Sequence, residues 1–298
     1  MILSEETRVF SYRPACLLRA RGSDTATFLQ GQFTNDLGNI KSGQAVYGLW
    51  LDRKGHVVAD SHVIRAGDPN EFWIASLSSP AAVVARHLGE HIIADDVEIA
   101  DETGDWHGVS LIGAGVGAWL AGAERPGLFF AGRRTLGENW EWLQRGAQTP
   151  PLPGALAPAR TLGAPEVERL RILSGIPSVP ADIGPADLPN EGGLDAQAIS
   201  YSKGCYLGQE VMARIRSMGR VRRTLVRVKG PGALPPLPAA LWLGERKEGE
   251  LRSGVADAQG FVGLALVGVA AAGPLALARG APATVELARG PVREAPGA

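Results

Sequence analysis

The sequence predicts an α+β protein made of two ferredoxin-like units followed by a small C-terminal β-barrel. Residues 15–100 show strand and helix patterns in the order strand, helix, three strands, helix, strand. A weaker copy of this alternation begins at Gly108, and after Thr224 short apolar runs are separated by glycine and proline, without a helical pattern. With 298 residues, the chain is long enough for two or three domains.

The first unit is expected to contain five strands and two helices. Ser23 or Asp24 can cap the first helix, and Pro80 suits the first turn of the second. Turn sequences rich in glycine, proline and aspartate separate the strands. In order, we expect a strand over 15–20, a helix over 24–29, strands over 45–51, 56–65 and 71–77, a helix over 79–91 and a strand over 96–100.

The second unit is expected to repeat this order less regularly. Proline and glycine cluster over 149–158, which is typical of a loop or linker. The patterns divide the chain into domains at 1–107, 108–222 and 223–298. The expected elements of the second unit are a strand over 109–112, a helix over 115–121, strands over 128–132 and 140–143, and a helix over 165–174.

Composition and charge argue against several classes of protein. The formal net charge of −1 gives no overall attraction to nucleic acid or to an anionic membrane. Two cysteines, Cys16 and Cys205, do not make a disulfide framework, so we expect a reducing, cytoplasmic location. No apolar run has the length of a signal peptide core or a membrane span, so no membrane partner is expected.

The most informative segment covers residues 203–210, which read Lys-Gly-Cys-Tyr-Leu-Gly-Gln-Glu. Its glycines, Gly204 and Gly208, let the main chain approach a ligand closely. Lys203 is expected to favour a thiolate at Cys205, and so are the first amides of a helix predicted over 209–218. The alternative interpretation is a cysteine buried in a tight turn.

Metal sites have weaker support in the sequence. His87 and His91 have helical spacing, but no glutamate or third ligand frames them as a zinc motif, so a surface helix face is the favoured interpretation. A stable iron-sulfur cluster held by this chain alone is disfavoured, because such clusters normally need four cysteine ligands. Cys205 as one transient ligand of a metal or cluster stays open.

The octet resembles the signature of the YgfZ-type folate-binding proteins, relatives of the glycine-cleavage T-protein that act in iron-sulfur protein maturation. The resemblance extends over much of the chain, in the order that the family has. The segments that carry it are 28–36, 51–55, 170–177, 188–194 and 203–223.

This resemblance implies the T-protein plan, in which two α+β units and a C-terminal barrel surround a central pocket. It also implies tetrahydrofolate or a related reduced folate as the cofactor. The implied partners are iron-sulfur client proteins or their assembly machinery. The implied function is assembly or repair of iron-sulfur proteins, including tRNA-modifying enzymes, with Cys205 as the reactive thiol opening onto the folate pocket.

The resemblance also assigns residues to the folate. Glu191 matches the acidic residue that reads the pterin, although an exposed loop carboxylate is the common fate of glutamate. Arg214 and Arg220 are expected to bind the carboxylates of the folate tail. The other implied folate-binding positions are Tyr206, Gly208, Gln209 and Glu210.

The chain departs from the T-protein at two points. T-protein-like enzymes carry an acidic pair where this chain has Ala59 beside Asp60, and they lack the cysteine of the octet. Loss of a carboxylate that handles a proton or a developing charge disfavours aminomethyl transfer. The catalytic residues implied are therefore Cys205, Lys203 and Asp60.

Two further functions stay open at this point. One is a folate-dependent one-carbon enzyme, which rests on likeness of fold alone. The other is a tRNA-binding or scaffold protein, because Arg216, Arg222 and Arg223 extend a basic cluster with Arg214 and Arg220.

Overall fold

The computed structural model describes residues 7–121, 126–146 and 159–288. Within these ranges, fifteen strands form three five-stranded sheets. The strands are β1 (Arg8–Tyr12), β2 (Cys16–Arg21), β3 (Ala45–Leu51), β4 (Val57–Arg65), β5 (Glu71–Ser76), β6 (Glu98–Asp101), β7 (Trp106–Ile112), β8 (Leu128–Ala131), β9 (Asn139–Arg145), β10 (Arg160–Thr161), β11 (Arg223–Gly230), β12 (Ala239–Leu243), β13 (Arg246–Asp257), β14 (Gly260–Gly268) and β15 (Glu286–Ala288). The helices are α1 (Thr25–Gln32), α2 (Ala81–Gly89), α3 (Val116–Ala121), α4 (Ala164–Leu173), α5 (Asp195–Ala198) and α6 (Gln209–Met218).

The first sheet has the strand order β3-β4-β5-β2-β6 and is antiparallel throughout. When the edge strand β3 is left aside, the order β6-β2-β5-β4 with α1 and α2 as connections is the split βαβ arrangement expected from the sequence. Helices α1 and α2 pack on this sheet over a core that includes Phe33, Trp50 and Phe72, all nearly inaccessible to solvent.

The second sheet has the order β10-β1-β7-β9-β8. Strand β1 pairs with β7 from Arg8↔Ile112 to Tyr12↔Gly108 and so takes the position that β6 has in the first sheet. The sequence did not indicate β1, because a five-residue segment whose partner lies about a hundred residues away carries little local signal. The chain therefore crosses the expected division at residue 107, and the domain limits stay a prediction. The expected loop over 149–158 lies outside the described residues.

The third sheet has the order β12-β13-β14-β11-β15 and is antiparallel, and no helix is found in the described residues 223–288, as expected. The predicted barrel is not found. The sheet edges are joined by the isolated bridges Trp242↔Ala276 and Leu275↔Val285, and the described residues between β14 and β15 hold no further strand that could close the ladder.

Two apolar clusters join the sheets. One brings together Leu17, Ile64 and Trp73 of the first sheet with Trp106 and Leu143 of the second. The other is centred on the segment after α4, and its buried members are Leu49, Leu51, Val57, Val179, Ile183, Leu194, Ala198, Ile199, Tyr206, Met212 and Leu266. Because this second cluster takes residues from β3, β4, α6 and β14, it holds the octet of residues 203–210 against the first sheet.

Candidate functional site

A cavity opens where the first sheet meets the second. It encloses about 390 Å³ of space, its open mouth included. That size is within the range of small-molecule sites. Its lining residues are Tyr47, Asp60, Ser61, His62, Ser76, Leu77 and Ser78 from the first sheet and its loops, Arg133 and Arg134 after β8, and Arg171, Ile176, Pro177 and Ser178 at and after α4.

Asp60 is the acidic group of this cavity. Its Oδ1 accepts hydrogen bonds from Ser76 Oγ at 2.9 Å and Ser79 Oγ at 2.7 Å, and its Oδ2 accepts one from Tyr47 OH at 3.0 Å. Three hydroxyl donors from three different segments fix the carboxylate plane. Ala59 faces the core of the first sheet and is fully buried.

Arg133 stands beside this carboxylate. Its guanidinium carbon lies 3.8 Å from the ring centroid of Tyr47, and its Nη1 lies 3.9 Å from Asp60 Oδ2. Arg133 also lines an adjoining cavity that reaches from the β8–β9 hairpin to Gln197. A carboxylate, an aromatic face and a guanidinium together suit a flat polar ligand that also carries an anionic group.

His62 lies deeper in the same wall. Its ring packs between Tyr47, at 5.1 Å between centroids, and Phe130, at 4.5 Å. Burial lowers the pKa of His62 to about 3, and the positive charge of Arg133 acts in the same direction. His62 is therefore a neutral imidazole at neutral pH.

Cys205 is exposed, whereas Cys16 is buried in β2. Burial raises the pKa of the Cys16 thiol far above its ordinary range, so Cys16 stays an inert thiol. Cys205 lines neither of the two cavities described above, so the expected opening of its thiol onto the Asp60 cavity is not found there.

Helix α6 begins and ends where the sequence predicts. Gly208 precedes it with φ of 85°, and a Cβ at this position would lie 2.8 Å from the carbonyl oxygen of Asp52. Gly55, at the β3–β4 turn, has φ of 78° and faces Val211 and Met212 of α6. The two glycines let the turn and the start of α6 approach each other closely.

Lys203 does not face a ligand. Its side chain is buried, and its ammonium donates hydrogen bonds to main-chain carbonyls at the end of α1. Burial lowers the pKa of Lys203 to about 8. The hydrogen bonds are analysed in a later subsection, because they bear on how Cys205 is held.

Glu191 is buried and paired. Arg223 donates to its two carboxylate oxygens, from Nε at 2.8 Å and from Nη2 at 2.7 Å, and the Leu188 amide donates to Oε2 at 2.9 Å. Glu191 lines neither cavity. Its part in reading a pterin stays a prediction, and it would require Arg223 to move.

The remaining positions implied by the octet surround the start of α6. Tyr206 is buried, its pKa is raised to about 12 mainly by burial, and its hydroxyl finds no hydrogen-bond partner in the described chain. Gln209 is half-buried and Glu210 is exposed. Arg214 and Arg220 are exposed, face no acidic partner among the residues described, and line neither cavity.

The histidine pair of α2 differs from its expected surface position. His87 is buried with its ring 5.0 Å from that of His91, and burial lowers the pKa of His87 to about 4. In the described ranges, no group of three or more histidine, cysteine, aspartate or glutamate side chains is placed to hold a metal ion.

Sequence reasoning missed the cationic wall of the cavity, Arg133, Arg134 and Arg171. Two consecutive arginines directly after a predicted strand were the available signal, since chain segments at strand ends often carry binding groups. Tyr47 was missed because it lies inside a strand whose other side chains are mostly apolar.

Within the described parts of the chain, no helix combines the length and the apolar character that crossing a membrane requires.

Comparisons with known proteins agree with this fold. Residues 7–125 match the family model of the GCVT N-terminal domain. The crystal structure of the glycine cleavage system aminomethyltransferase T from Bartonella henselae superposes with a TM-score of 0.76, over 97% of this chain and 87% of that one, at 19% sequence identity. This likeness shows a shared fold.

Sequence comparison identifies nearer relatives. The chain is 30% identical over 275 residues to the human mitochondrial iron-sulfur cluster assembly factor IBA57, covering 84% of this chain and 74% of the relative. It is 27% identical over 240 residues to the tRNA-modifying protein YgfZ of Vibrio vulnificus strain CMCP6, covering 78% and 73%. The family indicated by the octet is thereby confirmed, and the chain belongs to the IBA57 and YgfZ family, with the fold of the aminomethyltransferase T-protein.

Proposed function

We propose that this protein binds a reduced folate beside Asp60 and takes part in the assembly or repair of iron-sulfur proteins, with Cys205 as its reactive thiol. The observation that carries the proposal is an exposed cysteine on a loop held against the first sheet, in a chain related to an iron-sulfur cluster assembly factor. A cytoplasmic location, expected from the cysteine content, stays a prediction.

The donor set of the cavity suits a reduced folate. Asp60 can accept hydrogen bonds from the donor-rich edge of a pterin, and the Tyr47 ring offers a face of matching shape, provided that Arg133 moves from it. Arg133 and Arg134 could then meet the carboxylates of the tail. Bound folate would supply a carrier for one-carbon groups, while these residues bind and orient it.

Cys205 can serve an iron-sulfur client in one of two ways. An exposed thiolate can ligate iron of a cluster that is the cargo of the protein, with the remaining ligands supplied by a partner. It can also act as a thiol nucleophile or redox group toward a partner cysteine. Clients and assembly proteins are therefore the proposed partners, and aminomethyl transfer is disfavoured because Ala59 replaces one member of the acidic pair.

Calorimetry with tetrahydrofolate tests the cofactor. Asp60→Asn removes the negative charge and turns one acceptor into a donor, so we expect at least about a tenfold weaker affinity. Asp95→Asn, the same change at an exposed loop carboxylate, is the matched control and should bind like the wild type. Wild-type protein that gives no binding heat at millimolar ligand would refute the folate proposal.

The thiol is tested in cells that lack their own copy of the gene. Cys205→Ser is expected to lower iron-sulfur enzyme activities to the level of the empty vector, because serine is a poor ligand and nucleophile. Ser202→Ala, an exposed position in the same loop, should restore activity. Full activity with Cys205→Ser at normal protein abundance rules out the reactive thiol.

A second candidate function is binding of RNA phosphates. Arg214, Arg220 and Arg222 are exposed without an acidic partner in the described structure, and Arg216 stacks 4.2 Å from the ring centroid of Tyr201. The β3–β4 turn, which carries exposed Arg53 and Lys54, packs against the start of α6. A local positive surface on a chain of net charge −1 favours an anionic partner.

Fluorescence anisotropy with labelled tRNA tests this candidate. The triple variant Arg214→Gln, Arg220→Gln, Arg222→Gln should weaken binding and flatten its dependence on salt by roughly one log unit per lost phosphate contact. Arg86→Gln, at an exposed arginine of α2, should change neither. Equal binding by the triple variant and the control would exclude this surface.

A further inference from the structure

Lys203 makes an unusual set of contacts for a buried lysine. Its side chain is 8% exposed, and Nζ donates to the carbonyl oxygens of Gln30 at 2.6 Å, Phe33 at 2.6 Å and Asn35 at 3.1 Å. The acceptors lie about 170 residues away in sequence, in the last turn of α1 and the chain directly after it. The octet is therefore bound through this side chain to a different segment of the molecule.

These carbonyls need a donor. The last carbonyls of a helix have no partner within the helix, and a positive charge near them is favourable. Phe33 is the residue that caps α1, with an extended backbone that takes its carbonyl out of the helix. Lys203 thus supplies the C-terminal cap of α1 from a distant part of the chain.

An ammonium has three N–H donors, and here each has a carbonyl acceptor. None is left to donate to the Cys205 sulfur two residues on. This geometry differs from the role that the sequence suggested for Lys203, which was to favour a thiolate.

Two main-chain hydrogen bonds flank the lysine contact. The Ser200 amide donates to the Thr34 carbonyl at 3.0 Å, and the Leu207 amide donates to the Gly31 carbonyl at 3.2 Å. Cys205 lies between the lysine contact and the Leu207 contact, with Gly204 beside it exposed and in open space. A stretch of three residues is therefore held at both ends and faces solvent.

We propose that Lys203 is a positioning residue: its ammonium caps α1 and holds the Cys205 loop on the first sheet, so that the thiol is presented to a partner from a fixed place. This inference deepens the proposed function and rests on it for the role of the thiol. The three carbonyls of residues 30–35 act as a receptor for an alkylammonium group.

Chemical rescue tests this receptor directly. In Lys203→Ala, hydrogen exchange at the Leu207 amide, followed by mass spectrometry of a peptide over 203–208, should rise at least about tenfold. Added ethylammonium, which can donate to the carbonyls, should restore protection. Tetramethylammonium has the same charge and no N–H donor, and should not. Exchange in β14 should stay at its wild-type rate.

Lys203→Met is the second variant, because it fills the space of the lysine stem without donors and avoids a cavity. It should exchange as fast as Lys203→Ala and should lower iron-sulfur enzyme activity in cells toward the level of Cys205→Ser. Unchanged exchange at Leu207 would overturn the inference. So would an equal rise at Leu207 and in β14, which would make Lys203 a general stabilising residue, or equal rescue by the two cations.

The exchange measurement is independent of the proposed function. Should Cys205→Ser support full activity, the reactive thiol fails, whereas local exchange at Leu207 still decides whether Lys203 holds the loop.

Discussion

Asp60 shows how one residue of the site is prepared. A carboxylate that accepts hydrogen bonds from Tyr47, Ser76 and Ser79 cannot rotate freely, and each of these donors comes from a different strand or loop of the first sheet. The side chain is therefore oriented by the fold before any ligand arrives. Preorganisation of this kind reduces the conformational entropy lost when a ligand binds.

His62 gives a prediction about pH at the same scale. Its pKa is about 3 in the folded protein, whereas an unperturbed histidine has a pKa of about 6.5. Between these values the unfolded chain binds a proton that the folded protein does not. The free energy of unfolding should therefore fall as pH falls from about 6.5 toward 3, by up to about 1.4 kcal/mol per pH unit.

Urea denaturation of the wild type and His62→Phe at pH 7 and pH 5 checks this. Phenylalanine keeps the aromatic contacts with Tyr47 and Phe130 and does not titrate. The wild type should lose more stability than the variant on acidification. His87 titrates in both proteins and cancels in the difference. A difference that is the same at the two pH values would contradict burial of a neutral His62.

Among the elements, helix α6 depends on the glycine before it. Gly208→Ala would place a Cβ 2.8 Å from the Asp52 carbonyl oxygen at a positive φ, so we expect a loss of about 1–3 kcal/mol in the free energy of unfolding. Gly204→Ala is the matched control in the same octet, because its Cβ would meet nothing within 4 Å and its φ is not positive. Denaturant titrations of both variants check the prediction.

The outcome for Gly208 separates backbone geometry from composition. Equal stabilities of Gly208→Ala and Gly204→Ala would mean that the β3–β4 turn shifts to admit the methyl group. A larger loss at Gly208 supports close approach of the turn and α6 as the reason for the glycine.

Element type was readable from local pattern where an element carries its own signal. The limits of β3 and α6 are those expected, because alternating apolar residues and a helical run without proline are local features. Strand β1 and the single bridges at Leu275 and Ala276 were not expected, since pairing with a distant strand decides them.

At the scale of the whole molecule, ion pairs join the third sheet to the loop that contains Glu191. Arg223 of β11 reaches Glu191 and Asp187, and Arg252 of β13 reaches Asp187 as well. Both carboxylates are nearly inaccessible to solvent, whereas Arg223 is partly exposed. Buried charges of this kind are costly when one partner is removed.

Arg223→Met should therefore lower the free energy of unfolding by about 2–4 kcal/mol, because it leaves Glu191 and part of Asp187 uncompensated. Lys229→Met on the same strand removes an exposed pair with Glu286 and should cost less than about 1 kcal/mol. Denaturant titration at neutral pH measures both. Similar losses for the two variants would mean that solvent already screens the Arg223 pairs.

The sequence by itself determined the mixed α+β class, the family through its octet, and the helix that follows the octet, because each of these is encoded within a few consecutive residues. Only the tertiary structure decided what the charged residues do. Lys203 meets the end of α1, Arg223 neutralises Glu191, and Arg133 joins Asp60 in the cavity wall. A charge is defined by its partners, and these partners lie 32 to 173 residues away along the chain.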